Sequence, residues 1–125
     1  MGWKCKRLGG TSTEFPDLVA VNKKHSTLLA VECKAYSSNR IYIPIDQYHR
    51  CFDVCDMFDL YDNRMAVFAF KFNRIVKKRP AKFYFGTLNH NDYDGTDVQI
   101  ICDYNKGLIN KMLNPVDILS FNMKV

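Results

Sequence analysis

One segment of the sequence repeats its apolar residues with the period of an α-helix, whereas the other apolar residues fall in short runs. The apolar positions 45, 48, 51, 52, 55 and 58 follow the helical repeat, and Pro44 stands where a helix can begin. The short runs predict strands at 3–8, 17–22, 27–34, 41–43, 64–72, 80–88 and 97–102, a polar loop at 89–96 and a short helix at 106–113. Many strands with one long helix predict an α/β domain on a mixed sheet.

Length and composition are consistent with a globular domain. The chain has 125 residues, of which 47% are hydrophobic, so residues 1–125 can bury one core and form a single domain. No apolar run approaches the ~18–20 residues that cross a bilayer, and the amino end lacks the apolar segment of a signal peptide. We therefore expect a cytoplasmic protein without a membrane partner, whose five cysteines are reduced and mainly buried.

Two carboxylates and a lysine come together if the second and third strands form a hairpin around the turn 23–26. An antiparallel register centred on that turn places Asp17 opposite Glu32, and directly opposed residues share a face of the sheet. Lys34 lies two residues beyond Glu32 and therefore on the same face. The register also predicts that Val31, Cys33 and Ala35 point into the core.

The three charged groups suit metal-dependent hydrolysis of a phosphodiester. Two carboxylates this close repel each other, and a divalent cation such as Mg²⁺ would compensate them. On this interpretation Asp17 and Glu32 are metal ligands, and the Lys34 ammonium holds the attacking water or neutralises charge on the phosphate. A Glu-x-Lys step is also common as an exposed charge pair. Glu32, however, is one of two glutamates and follows an apolar run, which favours the catalytic interpretation.

At these residues the sequence resembles the archaeal Holliday junction resolvases, within the PD-(D/E)xK nuclease superfamily. The resemblance covers roughly residues 2–88 in order. Its matching segments are Arg7-Leu-Gly-Gly-Thr11, Pro16-Asp17-Leu-Val-Ala20, Val31-Glu32-Cys33-Lys34, Ile41-Tyr42-Ile43, Ala69-Phe70-Lys71-Phe72 and Lys82-Phe83-Tyr84-Phe85.

The resemblance implies a restriction-endonuclease-like mixed β-sheet flanked by helices, with a core at 2–88 and a carboxy-terminal extension at 89–125. It implies a homodimeric endonuclease that nicks a four-way DNA junction, with Mg²⁺ or Mn²⁺ at Asp17 and Glu32 and with Lys34 as the catalytic lysine. Family members carry an amino-terminal helix with a glutamate that helps to complete the metal site. That helix is expected to be absent here, and Glu14 is the nearby glutamate that could substitute.

The expected DNA contacts come from the resemblance and from a basic stretch without acidic residues. The resemblance points to Arg7, to Thr11 or Ser12, and to Lys71. The basic stretch adds Arg74, Lys77, Lys78 and Arg79 as groups that would neutralise DNA phosphates. Aromatic residues of the strands, together with Phe52 and Phe58, are candidates for the contact between subunits of a two-fold dimer.

Two alternatives remain open at this point. The chain could be a nuclease fold with impaired catalysis that only binds nucleic acid. It could also be a related restriction or repair nuclease that acts on linear DNA.

Overall fold

The computed structural model of the chain describes residues 2–8, 15–93, 99–109 and 114–115. Its elements in chain order are β1 (Trp3–Arg7), β2 (Leu18–Asn22), β3 (Thr27–Tyr36), β4 (Arg40–Ile43), α1 (Ile45–Met57), β5 (Asn63–Phe72), β6 (Lys82–Asn89), a 3-10 turn (His90–Asp92), β7 (Ile100–Asp103), β8 (Gly107–Leu108) and β9 (Asn114–Pro115). Within the described ranges, α1 is the one α-helix, and none of the helical segments is long and apolar enough to span a membrane.

The described strands form two sheets. The larger sheet has the order β1-β2-β3-β5-β6-β9, and the smaller one has the order β4-β7-β8. In the larger sheet β3 and β5 are parallel, while its other neighbouring pairs are antiparallel. A parallel pair needs a long crossover connection, and β4 with α1 supplies it between β3 and β5. The result is the predicted α/β fold on a mixed sheet.

The main core lies between α1 and one face of the larger sheet. Tyr48 and Phe52 of α1 are buried, and the Tyr48 ring stacks on Phe68 of β5 with 5.7 Å between centroids. Ile100 and Cys102 of β7 are also fully buried there, so part of the segment 89–125 belongs to this core. The opposite face of the sheet carries a smaller cluster around Ala20, Leu29 and Val67.

The prediction for the interior face of β3 was wrong. Cys33 and Ala35 are exposed, and Val31 packs only against the smaller cluster. The face that packs under α1 carries Leu28 and Ala30 instead. Four consecutive apolar residues, 28–31, give no alternation from which the buried face could be read.

The prediction of a helix over 106–113 was also wrong where the structure describes it. Residues 107–108 form β8, which pairs with β7, and residues 110–113 lie outside the described ranges. Gly107 has a φ of 76°, a left-handed conformation that interrupts a right-handed helix. A Cβ at this position would lie 3.0 Å from the Tyr84 ring, a tight contact that the ring would have to shift slightly to relieve.

The cysteines divide between interior and surface. All five are free, with Cys51, Cys55 and Cys102 buried and Cys5 and Cys33 exposed. The expectation of reduced, mainly buried cysteines therefore fits three of the five side chains in full.

Candidate active site

The β2–β3 hairpin has the register that the sequence predicted. Leu18 pairs with Val31 and Asn22 pairs with Thr27, so the next opposed positions are Asp17 and Glu32. Asp17 stands just before β2, where its carbonyl accepts from the Leu8 N–H at 2.9 Å. Its carboxylate reaches across to β3, and Oδ2 accepts from the Cys33 N–H at 2.7 Å. One oxygen of Asp17 is thereby fixed to the backbone of the neighbouring strand.

Glu32 is a buried carboxylate. It is 1% exposed and lies on the face that packs under α1, beside Phe68 of the adjacent strand. Desolvation by burial, followed by the negative charge of Asp17, raises the pKa of Glu32 from 4.5 to about 7. Asp17 and Glu32 lie close enough for their side chains to share a hydrogen bond. The pair therefore places two acidic groups side by side in a poorly solvated place, a common feature of functional sites.

Arg50 of α1 completes this environment, and the sequence analysis did not identify it. Its Nη2 lies 3.5 Å from Oε2 of Glu32, and its side chain is 13% exposed. The signal that could have found it is its spacing, because Arg50 stands one turn before the buried Val54 and next to the buried Cys51. A charged residue at such a position needs a buried partner.

Lys34 lies where the strand alternation places it, two residues after Glu32 and half-buried. Its positive charge lowers the pKa of Glu32, as does that of Arg50, and the effect of Arg50 is the larger. The structure therefore brings Asp17, Glu32 and Lys34 together. Arg50 extends toward Glu32 from α1.

The two carboxylates fit a divalent cation with few protein ligands. Among the residues that the structure describes, no group of three or more His, Cys, Asp or Glu side chains is arranged to hold a metal ion. Within the same residues, Oε2 of Glu32 has no hydrogen-bond partner. Mg²⁺ is typically held by one or two carboxylates plus waters and phosphate oxygens, so a buried carboxylate oxygen without a hydrogen bond, on the residue opposite Asp17, matches its preference. Glu14 lies outside the described ranges.

The residues predicted to contact DNA are dispersed. Lys71, Arg74, Lys77 and Lys78 are exposed in or near the β5–β6 hairpin, and Arg7 is exposed at the end of β1. The hairpin follows the end of β5 at Phe72, four residues past the level of Glu32, or about 13 Å at ~3.3 Å per residue. Thr11 and Ser12 lie outside the described ranges.

Arg79 differs from the other basic residues because its guanidinium is bonded within the fold. Nε donates to the Asn73 carbonyl at 3.2 Å, and Nη1 donates to the Ser38 carbonyl at 3.0 Å. The guanidinium also lies 4.5 Å from the centre of the Tyr104 ring. These contacts join the β5–β6 hairpin to the β3–β4 loop and to the turn after β7.

Comparisons with known proteins agree on one family. Residues 4–100 match the model of the archaeal Holliday junction resolvase (Hjc) family. No curated protein sequence matches the chain at a significant level. The fold is similar to that of Archaeoglobus fulgidus Hjc, described as a Holliday junction resolvase from an archaeal hyperthermophile. That structure has 23% sequence identity and a TM-score of 0.54, over 86% of this chain and 82% of that chain. Because the family match spans well over half of its length, the chain belongs to the archaeal Holliday junction resolvase family and is a junction-resolving nuclease.

Proposed function

We propose that this resolvase hydrolyses the phosphodiester with a divalent cation, Mg²⁺ or Mn²⁺, held by Asp17 and Glu32. The observation that carries the proposal is the pair of adjacent carboxylates, of which one is 1% exposed and has an oxygen without a hydrogen-bond partner among the described residues. A bound cation would lower the pKa of a coordinated water and stabilise the leaving oxygen. It would also compensate the repulsion between the two carboxylates, which burial strengthens.

Each side chain then has a distinct task. The Cys33 N–H holds Asp17 in place, so that its carboxylate lies against β3 beside Glu32. Glu32 supplies the second oxygen ligand from the buried side. The Lys34 ammonium stabilises negative charge on the phosphate as the bond breaks, and such electrostatic stabilisation is often the largest single contribution to catalysis.

The basic groups at the hairpin are proposed to position the junction. Lys71, Arg74, Lys77 and Lys78 would contact the phosphate backbone, together with Arg7 near the site. Contacts of this kind fix the orientation of DNA without reading its sequence. This agrees with a nuclease that recognises the shape of a four-way junction.

Symmetric cleavage of a two-fold junction calls for two active sites, and we propose a homodimer. A two-fold dimer uses the same surface patch on both subunits. Apolar side chains are exposed at the end of α1 and just after it, where Met57, Phe58 and Leu60 are 64%, 43% and 90% exposed. Phe52, an earlier candidate for this contact, is 1% exposed and belongs to the core instead. Light scattering of the protein, alone and on a junction, tests this assembly.

The activity is tested with a labelled four-way junction and a linear duplex of the same arm sequence. We expect cleavage of the junction in Mg²⁺ or Mn²⁺, none in EDTA, and little cleavage of the duplex under competitor DNA. Glu32→Gln should abolish cleavage, while Asp53→Asn, an exposed acid on α1, should cleave like the wild type. Cleavage in EDTA, or an active Glu32→Gln, would contradict the metal site. Equal cleavage of the duplex would contradict the selectivity.

A further inference from the structure

A positively charged side chain of α1 lies beside the acidic pair. Arg50 of α1 places Nη2 3.5 Å from Oε2 of Glu32, and the two side chains are 13% and 2% exposed. Charges at this separation interact strongly where water is scarce, because screening is weak. The proposed roles of Asp17, Glu32 and Lys34 do not use this guanidinium.

The contact between Nη2 of Arg50 and Oε2 of Glu32 is an ion pair longer than a close hydrogen bond. Charge-assisted hydrogen bonds between a guanidinium and a carboxylate are about 2.7–2.9 Å long. The observed 3.5 Å is longer, and Oε2 has no hydrogen-bond partner among the described residues. Arg50 therefore lies against Glu32 without taking up this buried oxygen in a hydrogen bond, so a cation that reaches the site competes with the guanidinium for it.

With both carboxylates ionised, as metal binding requires, the formal charges of these four groups cancel. Asp17 and Glu32 contribute two negative charges, and Lys34 and Arg50 contribute two positive ones. A divalent cation entering alone would give the site a net charge of two, against the repulsion of the Arg50 guanidinium. A DNA phosphate arriving with the cation would offset much of that excess. The charge balance therefore favours binding of the cation together with the DNA backbone.

We propose that Arg50 is a positioning residue that neutralises Glu32 in the metal-free site and weakens binding of a divalent cation until DNA is present. The proposal rests on the Asp17–Glu32 metal site proposed above. A role in stability alone would leave the affinity for the cation unchanged once the variant is folded. Cation affinity in the absence of DNA therefore separates the two roles.

The test measures binding of Mn²⁺ alone to the folded protein, by the electron paramagnetic resonance signal of unbound Mn²⁺. Arg50→Gln removes the charge but keeps an amide that can bond Glu32, and we expect it to bind Mn²⁺ about tenfold more tightly than wild type. Arg50→Lys restores the charge and should bind like wild type. Arg64→Gln is the matched control, because Arg64 is also half-buried beside α1 but donates to the Cys55 carbonyl at 2.5 Å. Circular dichroism verifies that each variant is folded.

The outcomes are distinct. Tighter Mn²⁺ binding by Arg50→Gln, with Arg50→Lys and Arg64→Gln unchanged, supports the proposal. Equal or weaker binding by folded Arg50→Gln overturns it and leaves the metal site in place. If wild type binds no Mn²⁺, with or without a junction, the metal site fails and the proposal about Arg50 fails with it.

Discussion

The active site and the basic hairpin both concentrate charge, but they hold it in opposite surroundings. At the site, Glu32 is buried under α1, and the positive charges of Arg50 and Lys34 stabilise its ionised form. At the hairpin, Lys77 and Lys78 are exposed. Water and salt screen such exposed charges, whereas a buried carboxylate interacts with each neighbour at low screening. Removing one charged group should therefore have a large effect on activity or stability at the active site and a small effect at the basic hairpin.

Arg79 is the residue that breaks this division. It belongs to the basic hairpin by sequence, yet its guanidinium is bonded to two backbone carbonyls like a buried group. Charge alone therefore does not assign a residue to the DNA surface. A basic residue whose charged atoms already have partners within the fold differs from one whose charged atoms are exposed and free to contact DNA.

The largest expected effect is on catalysis at the site. Lys34→Ala should lower the single-turnover cleavage rate about 10³-fold, the order expected when a group that stabilises developing charge is removed. Junction binding should change little, because one charge among many phosphate contacts is lost. Lys24→Ala, an exposed turn lysine outside both regions, serves as the control. A Lys34→Ala protein that cleaves within a few-fold of wild type would remove Lys34 from the mechanism.

The next effect is on stability as a function of pH. The pKa of Glu32 is raised from 4.5 to about 7, so between these values the folded state keeps a proton that the unfolded state has released. Stability therefore falls as pH rises across this window, by about 3 kcal/mol in total. The free energy of unfolding in urea with EDTA, measured from pH 4.5 to 8, checks this. Glu32→Gln should remove this contribution, whereas a fall of the same size in that variant would show that another group is responsible.

Most of the fold and the central acidic pair could be predicted from the sequence because they depend on local patterns. Strand and helix periods are visible within one segment, and the short turn 23–26 fixes which residues of β2 and β3 face each other. The placement of Asp17 opposite Glu32 follows from that turn alone. The buried face of β3 could not be predicted, because it depends on where α1 packs.

Arg50 and Arg79 could not be assigned because their partners lie far away in the sequence. Arg50 meets Glu32 only after the crossover between β3 and β5 places α1 over the sheet. Arg79 reaches Ser38, 41 residues earlier, with β4, α1 and β5 between them in the chain. From the sequence alone, a charged residue is interpreted as exposed to solvent unless its tertiary partner is known. The roles of the site residues in catalysis stay predictions that the variants above test.

A smaller effect, on stability alone, is expected at Arg79. Arg79→Ala removes hydrogen bonds to the carbonyls of Asn73 and Ser38 and the contact with the Tyr104 ring, and should cost about 2 kcal/mol. Arg74→Ala, at an exposed neighbouring position, should stay within about 0.5 kcal/mol of wild type. Urea unfolding measures both. Equal stability of the two variants would show that the contacts of Arg79 within the fold do not stabilise it, and Arg79 would again be a candidate for DNA contact.

The smallest effect is expected at the tip of the hairpin, where Lys77→Gly separates binding from folding. Lys77 has a φ of 63°, a left-handed conformation that glycine adopts more easily than lysine, so stability should be no lower than in wild type. Junction affinity should fall a few-fold, and the dependence of log affinity on log salt should become shallower by about one. Filter binding across a salt series measures both, with Lys24→Ala as the control for loss of a lysine elsewhere. If Lys77→Gly and Lys24→Ala have the same salt dependence, the hairpin tip makes no phosphate contact, and the exposed basic region loses its proposed function at that position.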